Sequence, residues 1–175
     1  CSLTLTVCGN KNSTCNIGGY DVTFTSSCVN WNGEEIITFI VTDNSEEQAS
    51  DSSNVNIIVT PVNDTPTIYL PDSFIFPEDC LIIIDFSEYI DDVDEDNLSL
   101  TFSGEDSVQI TIEDDYLVSF SAIEHWNGSD ALVFTVNDSQ GRTIAYDELI
   151  IIVTPKNDDP NAVEDVTEGE EDTII

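Results

Sequence analysis

The chain repeats itself at a long fixed period. Trp31-Asn32-Gly33-Glu34-Glu35-Ile36-Ile37-Thr38-Phe39-Ile40-Val41-Thr42-Asp43 recurs 95 residues later as Trp126-Asn127-Gly128-Ser129-Asp130-Ala131-Leu132-Val133-Phe134-Thr135-Val136-Asn137-Asp138. Ile57-Ile58-Val59-Thr60-Pro61-Val62-Asn63-Asp64-Thr65-Pro66 recurs after 94 residues as Ile151-Ile152-Val153-Thr154-Pro155-Lys156-Asn157-Asp158-Asp159-Pro160. Upstream, Leu3-Thr4-Leu5-Thr6-Val7 matches Leu98-Ser99-Leu100-Thr101-Phe102. Such a period means that each repeat is one unit built on the same plan. It predicts an incomplete repeat over 1–64 that lacks its first strands, a complete repeat over 65–159, and the start of a third over 160–175. That organisation fits a piece of a longer array, or a filament subunit whose tail completes a neighbour's unfinished sandwich.

Within each repeat the apolar residues alternate with polar ones. Ile36–Val41, Asn54–Val59, Leu98–Phe102, Leu117–Phe120, Leu132–Val136 and Leu149–Val153 are short and rich in Val, Ile, Thr and Phe. Asn, Asp, Gly or Pro bound them, the pattern of strands in an antiparallel sandwich. Leu81–Phe86 reads as a further apolar strand, and only Phe86–Ile90 suggests a helical turn. The expected fold class is all-β.

Charge narrows the function. Three Lys+Arg face 36 Asp+Glu, a formal net charge of −33. Lys11, Arg142 and Lys156 lie far apart and make no phosphate-binding patch, so nucleic acid is an unsuitable partner. An anionic membrane surface is equally unsuitable, and no apolar run reaches the ~18 residues of a spanning helix. With 40% hydrophobic residues the chain nevertheless has the material for a core. His125 is the only histidine, which rules out multi-histidine metal sites and leaves no partner set for a catalytic triad. No carboxylate stands in an apolar stretch that would raise its pKa for general acid catalysis, so the chain reads as non-enzymatic.

The Trp-Asn-Gly entry to an apolar strand, its Val-Thr-Asp or Val-Asn-Asp close, and the Val-Thr-Pro-Val-Asn-Asp-Thr-Pro boundary resemble one family. With Pro77-Glu78-Asp79 and Asp91-Asp92-Val93-Asp94-Glu95-Asp96, they resemble the cadherin-like tandem repeats of large bacterial and archaeal surface proteins. The resemblance covers essentially the whole chain. It implies tandem Greek-key, Ig-like β-sandwiches of seven strands, calcium at or near the junctions between modules, and an adhesive or structural role outside the cell.

Calcium takes six to eight oxygens, which carboxylates and carbonyls supply. At the first junction the expected ligands are Asp43, Asp51, Asn63, Asp64, Glu78, Asp79, Asp92, Asp94 and Asp96. Asp43 and Asp51 are expected at strand ends that approach the connector. The equivalent set at the next junction is Asp138, Asp147, Asn157, Asp158, Glu171 and Asp172. The spacing of two in Asp92-Val93-Asp94-Glu95-Asp96 suits a loop folded round a cation. It is not an EF-hand, because Asn97 and Ser103 occupy the positions that need Gly and a bidentate Glu. The connector also lacks the second Asn of the cadherin Asp-Asn-Asp pattern.

Other acids, such as Glu46-Glu47, Asp114-Asp115 and Glu164-Asp165, read as a solvated surface. Trp31 and Trp126 read as core or edge plugs ahead of an Asn-Gly turn, with sugar stacking as the alternative, and His125 reads as a turn residue. Cys1, Cys8, Cys15, Cys28 and Cys80 are too irregular for zinc. Four of them lie in the first repeat, which suggests local stapling in an oxidising compartment, Cys8 facing Cys15 across a hairpin. The leading expectation is an extracellular, calcium-rigidified spacer or filament, partnered by neighbouring repeats or adjacent subunits of a fibre. The alternative is a carbohydrate- or receptor-binding sandwich with a cell-surface glycan or protein ligand.

Overall fold

A computed structural model describes residues 3–19, 21–140, 144–158, 160, 164, 168 and 171. The chain divides into two units, Cys1–Thr65 with Val93–Asp96, and Pro66–Asp92 with Asn97–Ile175. The expected third repeat over 160–175 falls almost wholly outside the described residues.

The second unit is the fuller sandwich. Its strands are β6 (Thr67–Ile68), β7 (Ser73–Pro77), β8 (Leu81–Asp85), β9 (Ile90–Asp91), β10 (Ser99–Ser103), β11 (Val108–Ile112), β12 (Leu117–Ala122), β13 (Gly128–Asn137) and β14 (Ile144–Thr154). One sheet runs β10-β13-β14-β7, the other β11-β12-β8, and β6 pairs with β9 at the side. The seven strands of the two main sheets match the expected sandwich. All pairings are antiparallel except β14 with β7, where Ile150 meets Ser73 and Thr154 meets Pro77 in parallel. A 3₁₀ turn over Phe86–Glu88, capped by the Asp85 carboxylate, stands where the sequence suggested a helical turn.

The core follows from period-two alternation. Leu132, Phe134 and Val136 on β13 point inward, as do Leu149, Ile151 and Val153 on β14 and Val118 and Phe120 on β12. Phe86 sits 4.7 Å from Phe134 between ring centroids and 6.2 Å from Phe120. Trp126 packs half-buried against this cluster, as a plug would. Its ring folds over Gly128, where a β-carbon would lie 2.9 Å from the indole, so the Asn-Gly pair leaves room for the tryptophan.

The first unit holds β1 (Leu3–Cys8), β2 (Ser13–Gly18), β3 (Asp21–Ser26), β4 (Gly33–Asp43) and β5 (Ser50–Val59). Its sheets are β1-β4-β5 and β2-β3. Sheet β1-β4-β5 corresponds to β10-β13-β14 and β2-β3 to β11-β12, while among the described residues β6, β7, β8 and β9 have no counterpart in the first unit. Ile37 is fully buried and Phe24 meets Phe39 edge-on at 6.3 Å. Cys8, Cys15, Cys28 and Cys80 are free thiols, which corrects the expected Cys8–Cys15 staple. Cys8 lies on β1 and Cys15 on β2, in different sheets, so no hairpin aligns them. Cys1 lies outside the described residues.

The repeat also governs polar detail. Asp130 occupies an inward position of β13, and its Oδ2 accepts the backbone N–H groups of Asp106, Ser107 and Val108 at 2.9, 3.0 and 3.3 Å. In the first unit Glu35 does the equivalent, accepting from the Lys11 and Asn12 N–H groups and from the Ser13 hydroxyl. Gly9 and Gly104 have φ of +96° and +97°, and a β-carbon on Gly104 would lie 2.7 Å from the Ala131 carbonyl oxygen. Burial raises the Asp130 pKa, but the N–H donors outweigh it and the net shift is downward. For Glu35 the Ser13 hydroxyl is the largest cause of a lowered pKa.

Two outcomes follow. Gly104→Ala should destabilise the second unit by about 1–3 kcal/mol, read as a lower urea midpoint with unchanged slope. Because the folded pKa of Asp130 is depressed, its stabilisation is present above the ordinary aspartate range and is lost as pH falls through the folded value. Asp130→Asn should therefore flatten the fall in unfolding free energy between about pH 4 and pH 2 relative to the parent chain.

Candidate metal centre

The loop after β9 carries three carboxylates at alternate positions. Asp92, Asp94 and Asp96 bring oxygens within 4.8 Å of one another, Asp92 being buried and the other two half-buried. The positive φ of Glu95, 60°, reverses the backbone between the last two. Asp94 is fixed further, since its Oδ2 accepts the backbone N–H of Asp64 at 2.7 Å. Both residues line a cleft of about 240 Å³ with Asn30, Trp31 and Pro61, at the end of the first unit where Gly33 pairs with Val59. Asn63 turns its side-chain amide onto the Asp64 carbonyl.

Oxygens on one calcium ion, each about 2.3–2.6 Å from it, lie no more than about 5 Å apart. The three loop carboxylates meet that condition, and their all-oxygen chemistry suits a hard cation.

The remaining expected ligands do not join this cluster. Strand rise is about 3.3 Å, so the Val41–Asp51 pair lies roughly 26 Å along the sheet from the Gly33–Val59 pair. The five residues from Val59 to Asp64 span at most roughly 17 Å. Asp43 and Asp51 are thus at the wrong end of the first unit. Asp43 accepts from the Ser45 hydroxyl and N–H, which hold its carboxyl below the usual range, and Asp51 accepts from the Ser52 N–H. They close turns and strand ends.

The second unit needs the same correction. Glu78 and Asp79 follow Pro77, which pairs with Thr154, so they stand with the connector 155–158 and away from loop 92–96. Buried Glu78 accepts the Lys156 N–H at 2.8 Å. Asp147 faces Phe134 in mid-strand and accepts the N–H groups of Leu70 and Glu148. Asp138 follows Asn137, which pairs with Ser99 at the end of the sandwich that carries loop 92–98. That end is roughly 30 Å from Gly128 and hence from Asn157 and Asp158. Asn157 repeats the Asn63 turn onto the next carbonyl. Glu171 is exposed, and Asp172 lies outside the described residues.

One arrangement was missed altogether. Asp158 approaches His125, whose Nδ1 is 3.3 Å from Asp158 Oδ2, while the His125 N–H points to Asp79 Oδ1 at 3.4 Å. The sequence assigns Asp79 and Asp158 to different junctions and His125 to a turn; in the structure Asn30 and His125 share the left-handed conformation at φ 59° and 60°.

These sheets and their connections define an Ig-like β-sandwich with a cadherin-like fold. Residues 63–147 match the family model described as bacterial Ig domain, and the chain carries a cadherin-like, Ig-like repeat. Protocadherin gamma B2, extracellular cadherin domains 1–5, is similar at 16% identity and TM-score 0.56, over 89% of this chain and 34% of that one. The protocadherin gamma B7 EC3–6 cis-dimer is similar at 15% identity and TM-score 0.51, over 88% and 40%. An endo-fucoidan hydrolase of glycoside hydrolase family 107 aligns at 19% identity with TM-score 0.42, over 89% and 24%. The chain thus spans from about a quarter to two fifths of these structures. No curated protein matches the sequence. The described residues include no helix long and apolar enough to cross a membrane.

Asp94→Ala removes a charge-assisted acceptor worth about 1.5–3 kcal/mol. Amide exchange at Asp64 should accelerate about 10- to 100-fold in that variant, while the Asp130-bonded amides 106–108 keep their protection.

Proposed function

We propose that the chain belongs to an extracellular, non-catalytic structural or adhesive protein, and that its Asp92–Asp94–Asp96 loop holds calcium. The observation that carries this reading is the convergence of the three carboxylates. At an effective dielectric of about 20, two charges 4.8 Å apart repel by about 3 kcal/mol, a cost that a bound divalent cation reverses. Asp138 belongs to the same end of the sandwich and is almost wholly buried, with the Gln140 N–H on its Oδ1.

The Ig-like fold supports the non-catalytic side of the reading, being typically non-enzymatic. A spacer built of such repeats has neighbouring repeats or adjacent subunits as its partners. Outside the cell calcium is plentiful, which matches the affinity of ~10⁻⁴–10⁻³ M typical of extracellular calcium modules.

Calorimetric titration of the chain with calcium should give binding in that range. Asp94→Asn combined with Asp96→Asn should weaken it at least tenfold, whereas Asp51→Asn should leave it unchanged. The melting temperature should rise with calcium in the parent chain and stay flat in the double variant. A parent chain that takes up no calcium at millimolar concentrations would overturn the reading.

A further inference from the structure

We propose that the second unit carries another metal site of different chemistry, in which Asp79, His125 and Asp158 bind zinc or a similar borderline divalent ion. It does not rest on calcium at the 92–96 loop. The three residues come from separate segments, after β7, before β13 and after β14. Together they offer one nitrogen and two carboxylate oxygens, all within 4.8 Å of one another.

Zinc bonds to imidazole nitrogen and carboxylate oxygen at about 2.0–2.2 Å, and the edge of such a tetrahedron is about 3.4 Å. The separation of 3.3 Å between His125 Nδ1 and Asp158 Oδ2 is that edge. Asp79 offers a donor within 4.8 Å of the other two, and its Oδ1 lies 3.4 Å from the His125 backbone N–H. Side-chain exposures of 61% for His125 and 53% for Asp158 leave open the positions that water takes in a three-ligand site. Glu124 Oε1, 3.7 Å from His125 Nε2, can hold the ring in place through its other nitrogen.

The donor set decides which ion binds. Calcium and magnesium take oxygen ligands, whereas imidazole suits zinc, copper and nickel. The two repeats differ at this position. Asn30 has the same backbone conformation as His125 but carries an amide. The second repeat keeps the turn and replaces the amide with the chain's single imidazole.

That single histidine makes the test direct. The chain is titrated with zinc chloride under saturating calcium, by calorimetry and by NMR of the imidazole resonances. One zinc per chain should bind, and the His125 ring signals should shift in step with the heat. His125→Asn, a residue the same turn accepts at Asn30, should cut zinc affinity at least tenfold with an unchanged melting temperature, and Asp158→Asn should do likewise. Calcium binding at the 92–96 loop should be the same in all three chains. Imidazole signals that do not move at saturating zinc would overturn the site without recourse to any variant. Zinc affinity unchanged in His125→Asn would overturn it equally.

Discussion

The sandwich depends on a buried carboxylate that ties one sheet to the other. Asp130 sits on β13 among inward-pointing Leu132, Phe134 and Val136, yet it reaches the start of β11 in the opposite sheet. The N–H groups of residues 106–108 turn toward its carboxylate, and at Val108, which is buried, an unpaired donor would cost about 1–3 kcal/mol. One carboxylate oxygen meets all three. Glu35 performs the service in the first unit with a longer side chain and the help of Ser13. Apolar burial holds the sheets together without direction. The carboxylate fixes where the turn between β10 and β11 lies on the layer beneath, and Gly104, pressed against the Ala131 carbonyl, lets the chain come close enough.

Much of this was legible in the sequence. The strands with alternating apolar residues formed as expected, because period two with a buried face leaves little choice of register. The repeat offset aligned the strands of the two units, and the structure extends that equivalence to Glu35 with Asp130 and Gly9 with Gly104. The short strands β6 and β9 were not legible, since two-residue pairings carry no periodic signal. Asp130 and Glu35 passed as ordinary acids, because nothing in a sequence distinguishes a carboxylate that will face inward on a strand from one that will face solvent.

The candidate ligands divide along the same line. Asp92, Asp94 and Asp96 converge because their spacing is local and one loop contains them. Asp43, Asp51, Asp138 and Asp147 were grouped with the wrong connectors because a strand of ten residues separates its two ends by about 30 Å. Acids adjacent to a boundary in sequence can therefore stand at the far pole of the module. Pairing register decides which pole, and it assigns Glu78 and Asp79 to the connector after β14.

The parallel pairing of β7 with β14 has a mechanical consequence. Within the second unit β7 follows soon after the N-terminal side and β14 is the last strand, so a pull on the two sides of this unit loads these adjacent strands in opposite senses. Rungs from Ile150–Ser73 to Thr154–Pro77 are then loaded together in shear, whereas an antiparallel hairpin pulled from its open end would unzip rung by rung. The two-residue β6–β9 pair lies outside this clamp and would yield first, giving a little slack before the sandwich bears load. Within the second unit, resistance to such a pull resides in that single parallel seam.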